Sequence, residues 1–340
     1  MTHVLAVRLD NDGDVLLAGP AIRALAHGAD CLTLLCGPRG ERAAALLPGV
    51  DARLVWRAPW IDPEPDPVER ADVKALVDRV AGLRADAAVI FGSFHQSPLP
   101  TALLLRLAGV PFVAATSVDY PGALLDVRHR IADDVHEVER GLDLAASAGF
   151  PPPPGDDGAL RVRRTAPPAT LAPGTVVVHP GASVPARAWA PERSAALVQA
   201  LADRGRPVVV TGAPAERALT ARVAGPERAE VRDLGGRTSL AELAEVLAAA
   251  ACVVVGNTGP AHLAAAVGTP VVSLFAPTVP AVRWRPWGVP HELLFVPVPC
   301  AGCRARACPV PGHPCLGGIE VADVLAALGR LAPVPEAVGA

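Results

Sequence analysis

The sequence predicts an α/β protein built as two Rossmann-like domains, each around a parallel sheet. Three observations carry this. Short apolar runs alternate with segments whose apolar positions recur at helical spacing, the pattern of a parallel sheet with crossover helices. A Pro/Gly-rich stretch without apolar period interrupts that alternation midway. The chain is 340 residues long, more than one hydrophobic core usually organises.

The elements follow in order. Residues 4–9 read as a strand, Asn11-Asp12-Gly13-Asp14 as turn chemistry, and 15–26 as a helix. Strand 31–35 with helix 41–47, strand 87–91 with helix 99–107, and strand 112–115 continue the first domain, set at 1–160. Residues 161–173 form a Pro-rich linker, preceded by the prolines and glycines of 151–158. The second domain, 174–331, repeats the alternation: strand 175–179, helix 191–203, strand 207–211, helices 215–224 and 240–250, strand 252–255, helix 260–267 and strand 271–275. A helix over 321–331 closes it, and 332–340 reads as a flexible tail. Two such domains joined by a hinge place ligands in a cleft at the carboxyl ends of their strands.

Composition removes several classes. Half the residues are hydrophobic (51%) and 19% charged, enough apolar material for real cores. A net charge of −3 offers no basic field for nucleic acid. Lys74 is the only lysine among 31 basic residues and lies outside any Gly-Lys-Ser/Thr, which excludes a Walker P-loop. No Gly-x-Gly-x-x-Gly occurs, so the common dinucleotide fingerprint is missing and a dehydrogenase is disfavoured. The first residues carry Arg8 and Asp10 where a signal peptide would be apolar, and the longest apolar run, 246–255, is far short of the ~18 residues of a membrane span. The expectation is a cytoplasmic protein. Seven cysteines in a reducing compartment point to thiols or a metal rather than a disulfide framework.

Four motifs could carry chemistry. Gly13-Asp14 ends the first strand-to-helix turn: Asp14 presents a carboxylate as a general base, or it caps the helix. His179-Pro180-Gly181-Ala182-Ser183 followed by Arg187 and Trp189 forms a phosphate cradle, or a surface loop with Pro191 opening a helix. Gly256-Asn257-Thr258-Gly259-Pro260-Ala261-His262 puts small residues at a strand-to-helix turn, where amides and the helix dipole favour a diphosphate, or Thr258 caps and His262 packs. Cys300, Cys303, Cys308 and Cys315, with His313 as a spare ligand, could hold a tetrahedral structural zinc, with free thiols or a reversible disulfide as the alternative.

Taken together, Arg8-Leu9-Asp10-Asn11-x-Gly13-Asp14, His179 to Ser183 with Arg187-x-Trp189, Gly212-Ala213-x-x-Glu216, Thr238-Ser239-Leu240 and Asn257-Thr258-Gly259-Pro260-x-His262 resemble family 9 glycosyltransferases, the lipopolysaccharide heptosyltransferases and their relatives. The resemblance runs in family order from residue 4 to about 331. It implies a GT-B fold, an ADP-heptose-like donor on the second domain, and inverting transfer that requires no metal. The acceptor it implies is a glycan or glycolipid on the first domain. A lipid-borne acceptor would bring peripheral contact with the inner membrane surface.

By the same resemblance Asp14 is the base, with Gly13 beside it. The donor would be met by Ser183, Arg187, Glu216, Thr238, Asn257, Thr258, Gly259 and His262. Two departures stand out: Arg187 occupies a position that is usually lysine, and Asn257 one that is often aspartate, which leaves the sugar open. A nucleotide-sugar epimerase and a non-catalytic nucleotide-sugar-binding module are the alternatives.

Overall fold

The computed structural model describes residues 2–333, in two compact units, Met1–Arg163 and Arg164–Ala340. Of the tail expected at 332–340, the part from residue 334 lies outside the described residues.

In the first unit the order is β1 (His3–Arg8), α1 (Asp12–Leu17), α2 (Gly19–His27), β2 (Cys31–Cys36), α3 (Glu41–Ala44), β3 (Ala52–Val55), α4 (Arg70–Leu83), β4 (Ala87–Ile90), α5 (Leu99–Leu107), β5 (Phe112–Thr116), β6 (Val127–His129) and α6 (Glu137–Ser147). All its strands are parallel, in the order β3-β2-β1-β4-β5-β6. Strand β4 and residues 4–7 of β1 are apolar because helices cover both faces, so both side-chain rows are buried.

Two elements differ from the sequence reading. The helix expected over 15–26 is two, parted at Ala18. Pro20 explains the break, since its ring would clash with the Leu16 carbonyl of a continuous helix. The first helix also starts earlier, at Asp12, whose carboxylate accepts from the Ala43 amide (3.0 Å) and from Arg42 (2.7 Å) and so ties α1 to α3.

The second unit comprises β7 (Val176–His179), α7 (Pro191–Ala202), β8 (Val208–Val210), α8 (Arg217–Ala224), β9 (Val231–Asp233), α9 (Leu240–Ala248), β10 (Cys252–Gly256), α10 (Gly259–Ala266), β11 (Val271–Leu274), α11 (Ala281–Trp284), β12 (His291–Leu294), α12 (Pro314–Gly317) and α13 (Val321–Leu331). Its sheet is again wholly parallel, in the order β12-β11-β10-β7-β8-β9. Read from the other edge, both sheets have one topology. In each the first strand in sequence lies in the middle, and chain order reverses beside it. Among the described residues no helix is long and apolar enough to cross a membrane.

The Pro/Gly-rich stretch carries no helix or strand from 151 to 175. Its first part nevertheless belongs to the first unit. Arg23 holds Asp156 through two hydrogen bonds of 2.8 Å and reaches the Ala159 carbonyl, while the Arg163 amide donates to Leu46. The Arg23 hydrogen bond pulls the Asp156 carboxyl down to about 2, so its contribution to stability is present above the ordinary carboxylate range and fades as pH falls from about 4 to 2. Asp156→Asn is expected to lower unfolding free energy by about 1–3 kcal/mol at pH 7. Urea melts should show that gap closing as pH approaches 2.

Candidate functional site

Open parallel sheets bind ligands where strand order reverses. In the second unit this point lies between β7 and β10. β7 ends on His179 and feeds residues 180–183 and the 3-10 turn Pro185–Arg187; β10 ends on Gly256 and feeds Asn257, Thr258 and α10. The two outgoing loops touch there. A Cβ on Gly256 would fall 2.6 Å from the Arg187 carbonyl oxygen, so only glycine lets the segments approach this closely. Two residues on, Trp189 is buried and donates from Nε1 to the Ile319 carbonyl (3.3 Å), anchoring the strip that carries Arg187. Pro191 opens α7, as its sequence position suggests.

Ser183 is exposed and Arg187 half-buried. Thr258 occupies the N-cap position of α10, but its hydroxyl makes no capping hydrogen bond; it turns back to the Gly256 carbonyl at 3.5 Å. Gly259 and Pro260 form the first turn, and His262 is buried one turn in. A helix start without a side-chain cap is suited to an anion.

Asn257 behaves differently from its neighbours. It is buried, its Nδ2 donates to the Ala276 carbonyl (3.2 Å), and its Oδ1 accepts from the Ala276 amide (3.1 Å). Both ends of the side chain are committed to the loop after β11. An aspartate could accept here but not donate, which accounts physically for an amide at this position.

Glu216 joins the site from the next loop. Its carboxylate lies against Gly181, where a Cβ would meet Oε1 at 2.1 Å, and it accepts from the Ala213 amide (2.7 Å). His179 stands 3.9 Å from it and shares a hydrogen bond with Thr211 (2.9 Å). Burial pushes the His179 ring below its ordinary range, with Glu216 opposing, so the ring is neutral at pH 7. Thr238 is half-buried just before Ser239, which closes a capping box with Glu242 at the start of α9.

In the first unit the reversal lies between β1 and β4. Arg8 ends β1 and is buried; its guanidinium meets Asp10 (3.0 Å), Asp14 (3.1 Å) and the Ser93 hydroxyl (3.0 Å). Asp14 is the third residue of α1. The N-cap is Asn11, so the capping alternative for Asp14 is not realised. Gly13 is buried in the same turn.

Asp14, Arg8, Thr116, Glu137 and Arg140 line one pocket. Burial pushes the Asp10 carboxyl up to about 6 even though Arg8 opposes it. Arg8 itself is held charged, because Asp10, Asp14 and Glu137 outweigh its burial. Thr116, Glu137 and Arg140 are absent from the sequence-based set. The apolar spacing of Val138, Gly141 and Ala145 would have revealed α6, but nothing local shows that Glu137 at its start faces β1.

Residues 95–313 match the family described as glycosyltransferase family 9 (heptosyltransferase). The chain belongs to glycosyltransferase family 9. Among its relatives, lipopolysaccharide heptosyltransferase 1 of Pseudomonas aeruginosa is 34% identical over 223 residues, 63% of this chain and 61% of that one. Lipopolysaccharide heptosyltransferase 3 of Escherichia coli is 31% identical over 182 residues, 51% of each. The chain thus spans roughly half to three-fifths of the length of these curated relatives.

Solved structures share the fold over nearly the whole chain. The Escherichia coli heptosyltransferase crystallised with ADP-2-deoxy-2-fluoro heptose has a TM-score of 0.75 at 23% identity, covering 97% of this chain and 99% of that one. The Escherichia coli ADP-heptose lipopolysaccharide heptosyltransferase II has 0.73 at 19%, covering 98% of each. The architecture of this family 9 chain is therefore GT-B.

The cysteine loop of the family 9 chain lies beside the same region of the second unit. The amides of Gly302 and Arg304 donate to Pro277 and Thr278, and the Ala186 amide donates to the Arg306 carbonyl, next to Arg187. Cys300, Cys303, Cys308, Cys315 and His313 line one cavity, and His313 Nε2 is buried there without a hydrogen-bond partner. Among the described residues no three His, Cys, Asp or Glu side chains stand as a set able to hold a metal ion. The thiols share a cavity without forming a coordination set, and no chemical step is drawn through a metal there.

Asn257→Asp is expected to lose the donor to the Ala276 carbonyl, which keeps the Thr278 amide (2.7 Å), and to bury an extra carboxylate, at a cost of about 1–3 kcal/mol. Denaturant melts at pH 7 check this; an unchanged midpoint would show that Asn257 is not held by Ala276.

Proposed function

We propose that this family 9 chain is a cytoplasmic glycosyltransferase that moves a heptose or related sugar from an ADP-sugar to a glycan acceptor of the lipopolysaccharide-core kind. Transfer inverts the anomeric carbon and uses no metal ion. The observation that carries the reading is the approach of the Arg187 carbonyl to Gly256 at the β7–β10 crevice, which brings the backbone of the Ser183–Arg187 segment against the strand end that leads to the uncapped start of α10. Family membership and the heptosyltransferase names of the relatives support it. A lipid-borne acceptor would be reached by peripheral contact with the inner membrane surface.

In this reading Asp14 takes the proton of an acceptor hydroxyl while that oxygen attacks the anomeric carbon. The bond from that carbon to the diphosphate breaks, and its electron pair leaves on the terminal phosphate oxygen of ADP. Negative charge grows there in the transition state. Arg187, Ser183 and the Thr258–Gly259 turn stabilise it, each charge-assisted contact contributing about 1.5–3 kcal/mol. Glu216 and Thr238 serve the nucleoside and His262 the sugar-facing turn. Asn257 acts by holding this turn to Ala276.

Titration of the protein with ADP, UDP, GDP and dTDP, with and without EDTA, is expected to show preferential ADP binding that survives the chelator. Asp14→Ala should cut turnover by roughly 10²–10⁴ with ADP affinity unchanged. Wild-type turnover in that variant removes Asp14 from the chemistry. Arg187→Ala should weaken ADP binding by about tenfold or more, and an unchanged dissociation constant would remove the phosphate role. Conversion of the donor with no acceptor present would identify an epimerase instead.

A further inference from the structure

We propose that Asp10 is a positioning residue for Asp14: acting through Arg8, it fixes which Asp14 oxygen faces the pocket and sets how readily that carboxylate accepts a proton. This rests on the reading of Asp14 as the base and adds the machinery behind it.

The geometry is a closed ring with Asp14 hung on its outside. Arg8 Nη2 donates to Ser93 Oγ, the Ser93 amide donates to Gln96 Oε1 (2.9 Å), Gln96 Nε2 donates to Asp10 Oδ1, and an ion pair from Asp10 Oδ2 to Arg8 Nε (3.0 Å), without hydrogen-bond alignment, closes the circuit. The ring fixes the plane of the guanidinium. Only then can the same Nη2 hold Asp14 Oδ1 at 3.1 Å. Exposure grades outward, with the Arg8 side chain 5% exposed, Asp10 9% and Asp14 21%. The buried pair supports the carboxylate that reaches the pocket.

Charge gives the arrangement a second consequence. From the loop after β1, Asp10 faces Arg8 at the end of that strand, Asp14 on α1, Gln96 on the loop after β4 and Glu137 on α6. Its other side borders a groove lined by Arg39, Arg57 and Asp62, where Arg57 is paired with Asp62 and Asp66. When Asp10 is ionised, Arg8 divides its charge between two carboxylates. Once Asp10 is protonated, the whole guanidinium charge falls to Asp14 and restrains it from taking a proton. Burial moves this change in Asp10 to about pH 6.

The test uses the full chain, as wild type, Asp10→Asn and Gln96→Ala. ADP-heptose and a deacylated, heptose-deficient lipopolysaccharide core serve as donor and acceptor. Wild-type kcat is expected to fall below about pH 6. Asp10→Asn should lose that limb and run about tenfold slower at pH 7.5, with KM for ADP-heptose unchanged. Gln96→Ala, whose half-buried side chain makes it the safer variant for folding, removes the hydrogen bond that favours ionised Asp10 and should move the limb upward.

A thermal readout stands apart from activity. Because the folded state holds a proton on Asp10 that the unfolded chain has released, wild-type stability declines between about pH 4 and 6. Asp10→Asn lacks that decline, so the Tm of the variant should rise relative to wild type across this interval. A wild-type limb and kcat in both variants, or a Tm difference that is flat with pH, overturns the proposal. If wild type transfers no sugar, the transferase reading fails separately, and a Tm difference that changes across this interval still supports the coupling of Asp10 to Arg8.

Discussion

In each unit the first strand in sequence pairs in parallel with two strands from which the chain runs out to opposite edges of the sheet, and the rest of the site depends on that constraint. Val4 of β1 faces Leu32 of β2 and Ala87 of β4; Val177 of β7 faces Val209 of β8 and Val253 of β10. Connections on the two sides of such a strand leave over opposite faces of the sheet, so no crossover covers the strand ends between them. The chain must put its outgoing loops there. In the first unit they bring Arg8, Asp14 and Ser93 together; in the second, Arg187, Gly256 and Thr258. One topology thus produces two local environments of different character: a buried guanidinium among carboxylates in the first, and a close backbone contact at a glycine beside an uncapped helix start in the second.

The elements legible in the sequence are those whose burial is uniform. Strands β1, β2, β4, β7, β10 and β11 are mostly apolar because helices cover both faces of the sheet, and α13 shows clean helical spacing because only one face of it, with Val324, Ala327 and Leu328, is buried. The strands that escape notice, β3, β6, β9 and β12, are the four sheet edges. Each is only three or four residues long and carries charged or histidine side chains, as in Val127-Arg128-His129 and Val231-Arg232-Asp233, because an edge strand has one open side. Their membership in the sheet comes from a neighbour already in place.

The candidate site divides along the same line. Asp14, Ser183, Arg187 and the Thr258–Gly259 turn sit at strand-to-helix junctions, a position that a strand, a glycine and a helix signal locally. Gln96 reaches Asp10 across 86 positions of sequence and Glu137 faces Arg8 from still farther along the chain, and no local pattern encodes such a meeting. Asn257 shows the reverse: the sequence marks its position, while its role depends on Ala276, nineteen residues away. Hydrogen-bond partners at long separation are a property of the packed core, and a linear reading lists candidates without their partners.

Arginine in place of lysine has a consequence for how such a site responds to pH. A guanidinium stays charged throughout the physiological range and offers a fork of donors, whereas a buried ammonium can lose its proton. Arg187 therefore keeps its charge across this range, while burial keeps His179 neutral. In the first unit Arg8 is equally fixed in charge, held so by three carboxylates that outweigh its burial. With both cations locked, responsiveness passes to the carboxylate that burial has displaced furthest toward neutrality, Asp10 at about 6. The proposed proton-dependent element is then a buried acid two residues past the end of the central strand, facing the half-buried Asp14 carboxylate through a cation that keeps its charge.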